Sequence, residues 1–256
     1  MLINTVSAST GLRWLIEGAR LLRRQPLGLP AMVVVYLMLL LIPAMIPLVG
    51  IAFSGVLSPF ATVGLMQCFR DAAQGRAPSP AQFAQPFQDE RSRVHLVRLG
   101  LLNAGMLLVV AMLSSLLAPQ PSTAPQSIEE LPLRPLLVQL VLYAPVMVLM
   151  WFAPLLAGWH AMTPGKAMFG SAVACARNIG ALTVYGLAAA ALSAGVSLVL
   201  VTVLTALVPS REVLSFFLAP IALVLLTIVQ GSFYPMYLSI FARPAAAAPA
   251  LAPESR

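Results

Sequence analysis

Three amide side chains, Asn103, Gln139 and Gln230, lie inside long apolar segments, where polar groups mark either contacts between helices or a functional cavity. The same segments carry no Asp, Glu, Lys or Arg near their middle. Because proton-coupled or sodium-coupled transport uses buried carboxylates and voltage sensing uses buried arginines, the sequence argues against both. Two roles remain for the three amides. They bridge helices, which we favour, or they line a neutral polar path.

A second concentration of polar and aromatic residues lies between two of the apolar segments. It consists of Trp159, His160, Thr163, Lys166, Arg177 and Asn178. Tryptophan and basic residues in such a position are typical of a helix anchored at the membrane surface. The same residues are also our candidate for a surface that recognises a partner.

Reaction chemistry has little support in the sequence. The two histidines, His95 and His160, are not in a metal-ligand spacing, and no nucleotide-binding, zinc-protease or serine-hydrolase motif is present. Cys175 and His160 have no visible third group to orient them as a nucleophilic pair, and we interpret Cys68 and Cys175 as free thiols. We therefore predict a protein that is not an enzyme and that uses no cofactor or metal.

Membrane helices must position these residues. Apolar residues make up 60% of the chain and charged residues 9%, with a mean hydropathy of +0.92, whereas about a quarter of a soluble domain is charged. Residues 25–69 contain no charged residue, and one helix over this run would be about twice as long as the ~30 Å bilayer core. A turn at residues 47–50 therefore divides the run into two spans. Further charge-free windows lie at 99–128, 135–165, 178–210 and 213–242.

The predicted fold is all-α, a polytopic membrane helix bundle. Its six transmembrane helices lie near residues 28–46, 50–69, 99–118, 136–157, 180–207 and 214–240. Continuous apolar blocks do not fit a membrane β-barrel, whose strands alternate polar and apolar residues. The six helices form three hairpins, each preceded by an interfacial amphipathic helix, and this pattern suggests internal repeats at 8–70, 78–158 and 162–242.

The interfacial helices and the remaining segments follow from the same patterns. In the first interfacial helix, the apolar face is predicted to contain Leu12, Leu15, Ile16, Ala19 and Leu22. Residues 1–242 form one integral membrane domain, 120–135 an extracytoplasmic loop and 243–256 a disordered cytoplasmic tail. Small residues recur every four positions at Gly50, Ser54 and Ser58 and again at Gly186, Ala190 and Ala194. Whether these two stripes pack within the chain or between copies stays open, as does the oligomeric state.

The distribution of basic residues sets the orientation. With both termini in the cytoplasm, all of the 15 Lys and Arg residues except Arg134 and Arg211 lie on the cytoplasmic side. The net charge of +7 then indicates a lipid bilayer with anionic headgroups as the partner, and not nucleic acid, because the charges are spread over the helix ends. The first residues lack the basic start and the cleavage site of a signal peptide, so we expect none.

Three stretches carry a resemblance to known sequences: residues 18–26 (GARLLRRQP), the turn at 47–50 (PLVG), and the segment that runs from Ala153-Pro154 to Arg177-Asn178. Together they resemble a family of uncharacterised proteobacterial integral membrane proteins. The resemblance covers most of the chain, from about residue 9 to 243, and carries no catalytic residue. It implies location in a bacterial inner membrane.

Two functions fit these observations. The first is a non-catalytic scaffold, assembly factor or regulator that binds a membrane protein partner. The second is a passive permease or transporter with a neutral polar path between the three hairpins. Convergence of Asn103, Gln139 and Gln230 on one cavity would favour the permease, whereas their dispersal onto separate helix contacts would argue against it.

Overall fold

The computed structural model describes residues 3–47, 49–118, 133–207 and 211–241. Its elements, in chain order, are α1 (Thr10–Arg24), α2 (Gly28–Ala44), α3 (Gly50–Ala73), a 3-10 helix (Pro80–Phe83), α4 (Gln85–Gln88), α5 (Glu90–Leu117), α6 (Leu133–Met150), α7 (Ala153–His160), α8 (Pro164–Arg177), α9 (Ile179–Leu207) and α10 (Arg211–Phe241). No strand occurs in these ranges, and the predicted all-α class is confirmed. The predicted extracytoplasmic loop lies mostly outside the described residues, and the predicted C-terminal tail lies wholly outside them.

Five helical segments are long and apolar enough to cross a membrane. They are α3, α5, α6 together with α7, α9 up to Val203, and α10 from Leu218. Helix α2 is 17 residues long, about 25 Å, and follows α1 after a bend of 107°. The number of candidate spans is six if this bent pair is counted as one span, whereas the sequence assigned the first span to residues 28–46 alone. The bend also places α1 across the direction of α2, as expected for a helix that lies in the plane of the interface.

Helix α1 has three sides. One side is buried against α9 and α10 and is formed by Gly11, Trp14, Leu15, Gly18 and Leu21. The second side, with Leu12 and Ile16, is exposed, and the third carries Arg13, Glu17, Arg20 and Arg24. The residues of the predicted apolar face therefore divide between two sides, because Leu15 is buried whereas Leu12 is 51% exposed.

The packing side of α1 is set by glycine. A Cβ atom at Gly11 would meet the backbone oxygen of Ala181 at 2.3 Å, and one at Gly18 would meet that of Ile228 at 2.4 Å. Small residues let helix backbones approach this closely, whereas leucine holds them apart. The exposed leucine and isoleucine then face outward, where an interfacial helix contacts acyl chains.

The N-terminal segment joins α10 as well. The Asn4 backbone N–H donates to the Ile240 carbonyl at 2.8 Å, and the Trp14 indole donates to Ser239 Oγ at 3.0 Å. The first and the last described segments of the chain therefore form one packed unit.

The two predicted small-residue stripes differ in their surroundings. In α3, a Cβ atom at Gly50 would meet the Pro43 carbonyl oxygen at 2.4 Å, and Ser54 donates to the Leu40 carbonyl at 2.7 Å. This stripe therefore packs against α2 within the chain. In α9, Gly186, Ala190 and Ala194 are exposed.

The interfacial segment of the second predicted unit is shorter than an amphipathic helix. The 3-10 helix begins with a capping box, in which Ser79 Oγ accepts from the Ala81 N–H at 3.3 Å and Gln82 Oε1 accepts from the Ser79 N–H at 3.0 Å. The single turn of α4 follows. Helix α5 then begins at Glu90, several residues before the predicted residue 99, because Asp89 caps its first turn.

The first and third predicted units share one local feature. Gln25 ends α1 and Asn178 ends α8, and the backbone N–H of each donates to the carbonyls three and four residues before it. Each carbonyl then accepts from the residue four positions later, Leu29 or Leu182, in the following helix. The threefold repeat itself stays a prediction.

Candidate functional site

A cavity of about 590 Å³ lies between α2, α3, α5, α6 and α10. Its polar lining consists of Tyr36, Ser54, Ser58, Thr62, Asn103, Tyr143, Trp151, Tyr185 and Gln230. Aliphatic, methionine and phenylalanine side chains form the rest of the wall. Among the described residues, none that lines this cavity is charged. Both the volume and the mixture of apolar walls with a few polar groups are typical of small-molecule sites.

Asn103 reaches the cavity from α5 and also bridges two helices. Its Nδ2 donates to the Gly55 carbonyl and to Ser58 Oγ of α3, both at 3.0 Å. The bridge is short because α3 and α5 cross closely: a Cβ atom at Gly100 would meet the Val56 carbonyl oxygen at 2.3 Å. Asn103 therefore has the interhelical contact that we favoured from the sequence, at the wall of a cavity.

Gln230 lines the same cavity from α10. Tyr36 of α2 and Thr62 of α3 line it as well, and the Tyr185 hydroxyl of α9 donates to the Val229 carbonyl at 3.0 Å. Groups that are far apart in sequence thus converge here. Sequence reasoning did not assign Tyr36 or Thr62 to a common site, because no spacing connects residues on different helices.

Gln139 does not join them. It is exposed on α6 and does not line the cavity. The convergence that would favour a permease is therefore partial, with Asn103 and Gln230 at one cavity and Gln139 elsewhere. The polar path stays a prediction for the two residues that line the cavity.

The predicted partner surface divides into packed and exposed residues. Trp159 stacks edge-on against Tyr234 and Tyr237, and His160 Nε2 lies 2.6 Å from the Tyr237 hydroxyl. His160, Thr163, Lys166 and Arg177 are exposed. A partner role for these residues stays a prediction.

Asn178 is not part of any surface, which corrects its assignment. It is only 1% exposed. Its Nδ2 donates to the carbonyls of Asn4 at 3.0 Å and Ala174 at 2.9 Å, and its Oδ1 accepts from the Val6 N–H at 2.8 Å. The reason is its position at the end of α8, where helix carbonyls need donors. Asn178 therefore attaches the N-terminal segment to the junction of α8 and α9.

Both cysteines are buried, as isolated thiols. Burial raises the pKa of the Cys175 thiol to about 11, so it is protonated at neutral pH. In the described ranges, no group of three or more His, Cys, Asp or Glu residues has an arrangement that could hold a metal ion.

A smaller cavity of about 270 Å³ lies at the C-terminal end of α3 and shares no lining residue with the first. Gln67, Arg70 and Asp89 are among the residues that line it. Sequence reasoning missed it because these side chains come from different elements, and only the arginine was marked, as the end of a charge-free run.

The helical bundle and its spans define a multi-pass membrane protein. The chain is 33% identical, over 263 residues and 96% of each chain, to a probable inner membrane protein of Burkholderia thailandensis. It therefore belongs to the family of that inner membrane protein, and the resemblance seen in the sequence is confirmed. No family model matches the chain, and no solved structure does. The orientation, with both termini cytoplasmic, stays a prediction.

Proposed function

We propose that the protein is a passive permease, without enzymatic activity, for small uncharged polar solutes that occupy the cavity between α2, α3, α5, α6 and α10. The observation that carries this proposal is that Asn103 and Gln230, on different hairpins, line one cavity together with several hydroxyl groups. Amides that only join helices could lie at separate helix contacts, whereas these two line the same cavity.

The lining also favours one class of solute. Hydroxyl and amide groups replace the hydrogen bonds that a neutral solute loses when it leaves water. An ion would lose its hydration without meeting an opposite charge, because the described lining has none, and this costs several kcal/mol. The cavity therefore favours neutral solutes over ions.

Flux into proteoliposomes tests the proposal. We expect erythritol to enter faster than into empty vesicles, and glycerol 3-phosphate to enter no faster. Gln230→Leu removes one hydrogen-bonding group from the lining, and the loss of ~1 kcal/mol lowers the protein-dependent flux about fivefold. The matched control is Gln139→Leu, at an exposed amide outside the cavity, which leaves the flux unchanged.

The result against the proposal is equally specific. No flux above empty vesicles for glycerol, erythritol, urea or sorbitol would refute it. An equal loss in the Gln139→Leu and Gln230→Leu proteins would remove the cavity from the explanation.

The second candidate is a scaffold, assembly factor or regulator that binds a membrane protein partner. It is favoured by the exposed stripe of Gly186, Ala190 and Ala194 on α9, because a smooth face suits another helix better than it suits lipid. Affinity capture from membranes with mass spectrometry tests it. A partner that is lost with Ala190→Leu and retained with Val199→Leu, at an exposed α9 position outside the stripe, would support this role; retention with both would refute it.

A further inference from the structure

The smaller cavity lies where α3 reaches the end of its charge-free run. Five elements line it: α3 with Gln67 and Arg70, the 3-10 helix with Gln82, α4 with Gln85, the start of α5 with Asp89, and the end of α7 with Trp159. Its volume of about 270 Å³ is below the usual range for a drug-sized ligand, so it suits a headgroup-sized one.

Arg70 supplies a fixed positive charge. Its guanidinium carbon lies 5.2 Å from the centre of the Trp159 ring, a distance at which the ring face attracts a cation. The ion pairs of the described chain join Arg76 to Asp71 and Arg93 to Glu90. Arg70 therefore has no described carboxylate within 4.0 Å and keeps its donors for another anion.

Asp89 supplies a fixed negative charge. As the cap of α5 it accepts from Ser92 Oγ at 2.6 Å and from the Arg91 N–H at 3.2 Å. These hydrogen bonds, that of Ser92 first, lower the pKa of the Asp89 carboxyl group, which is ionised at neutral pH. The two charges thus belong to one cavity but do not pair with each other.

Gln67 provides the third feature. Its side chain is 8% exposed, it lines the cavity, and it makes no hydrogen bond within the described chain. Neighbouring Gln82 differs, because its Nε2 donates to Asp71 at 2.6 Å and its Oε1 accepts at the capping box. The Gln67 amide is not among the buried polar atoms that lack a partner in the described chain, so it is accessible from the cavity and available to a polar ligand.

We propose that this cavity binds a zwitterionic phosphate–primary amine group, as in an ethanolamine phospholipid headgroup, with the phosphate at Arg70 and Gln67 and the ammonium at Asp89. Arginine suits phosphate because its N–H donors match the oxygens of the anion. An anionic lipid would leave Asp89 without a cation, and a choline headgroup has no N–H to donate to it. This site stands independently of the permease proposal, because the two cavities share no residue.

Lipid binding to the delipidated protein in detergent tests the site, measured by native mass spectrometry with ethanolamine, choline and glycerol phospholipids of matched acyl chains. We expect the ethanolamine lipid to bind about tenfold more tightly than the choline lipid, as one charge-assisted hydrogen bond allows. Asp89→Asn retains a good helix cap but removes the charge, and it abolishes this preference. Arg70→Gln weakens binding of all three lipids about tenfold.

Two controls change the same charges outside the cavity. Glu90→Gln, beside Asp89, and Arg98→Gln, exposed on α5, leave the preference intact. A wild-type protein that does not distinguish ethanolamine from choline lipid would overturn the proposal, and so would an Asp89→Asn protein that still does. Asparagine preserves the helix cap. If the Asp89→Asn and wild-type proteins have the same melting temperature, a lost preference for the ethanolamine lipid is therefore not due to misfolding.

Free phosphoethanolamine separates the two sources of the ligand. If it displaces the ethanolamine lipid, the polar cavity alone recognises the group, and if it does not, the acyl chains contribute as well. The Asp89→Asn criterion decides the proposal in either case.

Discussion

The crossing of α3 and α5 makes a sharp prediction about two glycines in one helix. At Gly100, a Cβ atom would lie 2.3 Å from the Val56 carbonyl oxygen and 2.9 Å from Val56 Cα. At Gly105, in the same helix, a Cβ atom would meet nothing within 4 Å. The same change, glycine to alanine, therefore creates a backbone clash at one position and none at the other.

The magnitudes follow from these distances. Ordinary Cβ contacts begin at 3.4 Å, so Gly100→Ala requires the helices to separate by about 1 Å. Overpacking of this kind costs ~1–3 kcal/mol. Gly105→Ala gains ~0.5–1 kcal/mol from helix propensity. We therefore expect the two variants to differ by ~1.5–4 kcal/mol in the free energy of unfolding, with the wild type between them.

Unfolding in mixed detergent micelles of increasing SDS content, followed by circular dichroism, measures this order. Asn103 lies almost one turn beyond Gly100 in α5, so the separation of α3 and α5 in Gly100→Ala also lengthens the hydrogen bonds from Asn103 to α3. Because Asn103 lines the larger cavity, we expect Gly100→Ala to lower the solute flux into proteoliposomes as well. A Gly100→Ala protein as stable as Gly105→Ala would refute the close crossing.

Four further predictions concern single positions. Ala161 has φ 49° at the end of α7, so Ala161→Gly should stabilise the protein by ~1 kcal/mol in the same unfolding assay, and a loss of stability would contradict this left-handed cap. Asn178→Ala should cost ~1–3 kcal/mol, because it leaves the Val6 N–H without its acceptor; an unchanged midpoint would contradict it. With Cys68 replaced by Ala, the Cys175 thiol should react with maleimide at pH 8 more than about a hundredfold more slowly than free cysteine, because a pKa of about 11 leaves little thiolate. The rate should rise about tenfold per pH unit, and a pH-independent rate would argue against this cause. A reporter fused at Ser122 should be active only outside the cytoplasm, and cytoplasmic activity there would reverse the predicted orientation.

Patterns confined to one segment could be predicted from the sequence. The spans follow from runs without charge, because an unpaired charge in hydrocarbon is costly wherever the helix packs. The cap at Ser79 also depends only on its immediate neighbours, Pro80 and Gln82.

Features that depend on the partner helix could not be predicted. The buried side of α1 is chosen by Gly11 and Gly18, and glycine carries no hydropathy signal that reveals a close crossing. Asn178 has the polarity of a surface residue, yet the carbonyls around it keep it buried. The grouping of Gln67 and Arg70 with Asp89 likewise depends on how the end of α3 meets the start of α5.

The contact between the N-terminal segment and α10 has a consequence for biosynthesis. Asn4 and Ser239, which meet through a hydrogen bond, are separated by 235 positions in the sequence. The ribosome makes α1 first, yet the partner that covers Trp14 and Gly18 emerges only with the last described helix. During translation the nascent α1 must therefore wait at the membrane surface, held there by Leu12, Ile16 and its arginines. A ribosome that stalls before α10 would leave Gly18 of α1 without the helix that covers it.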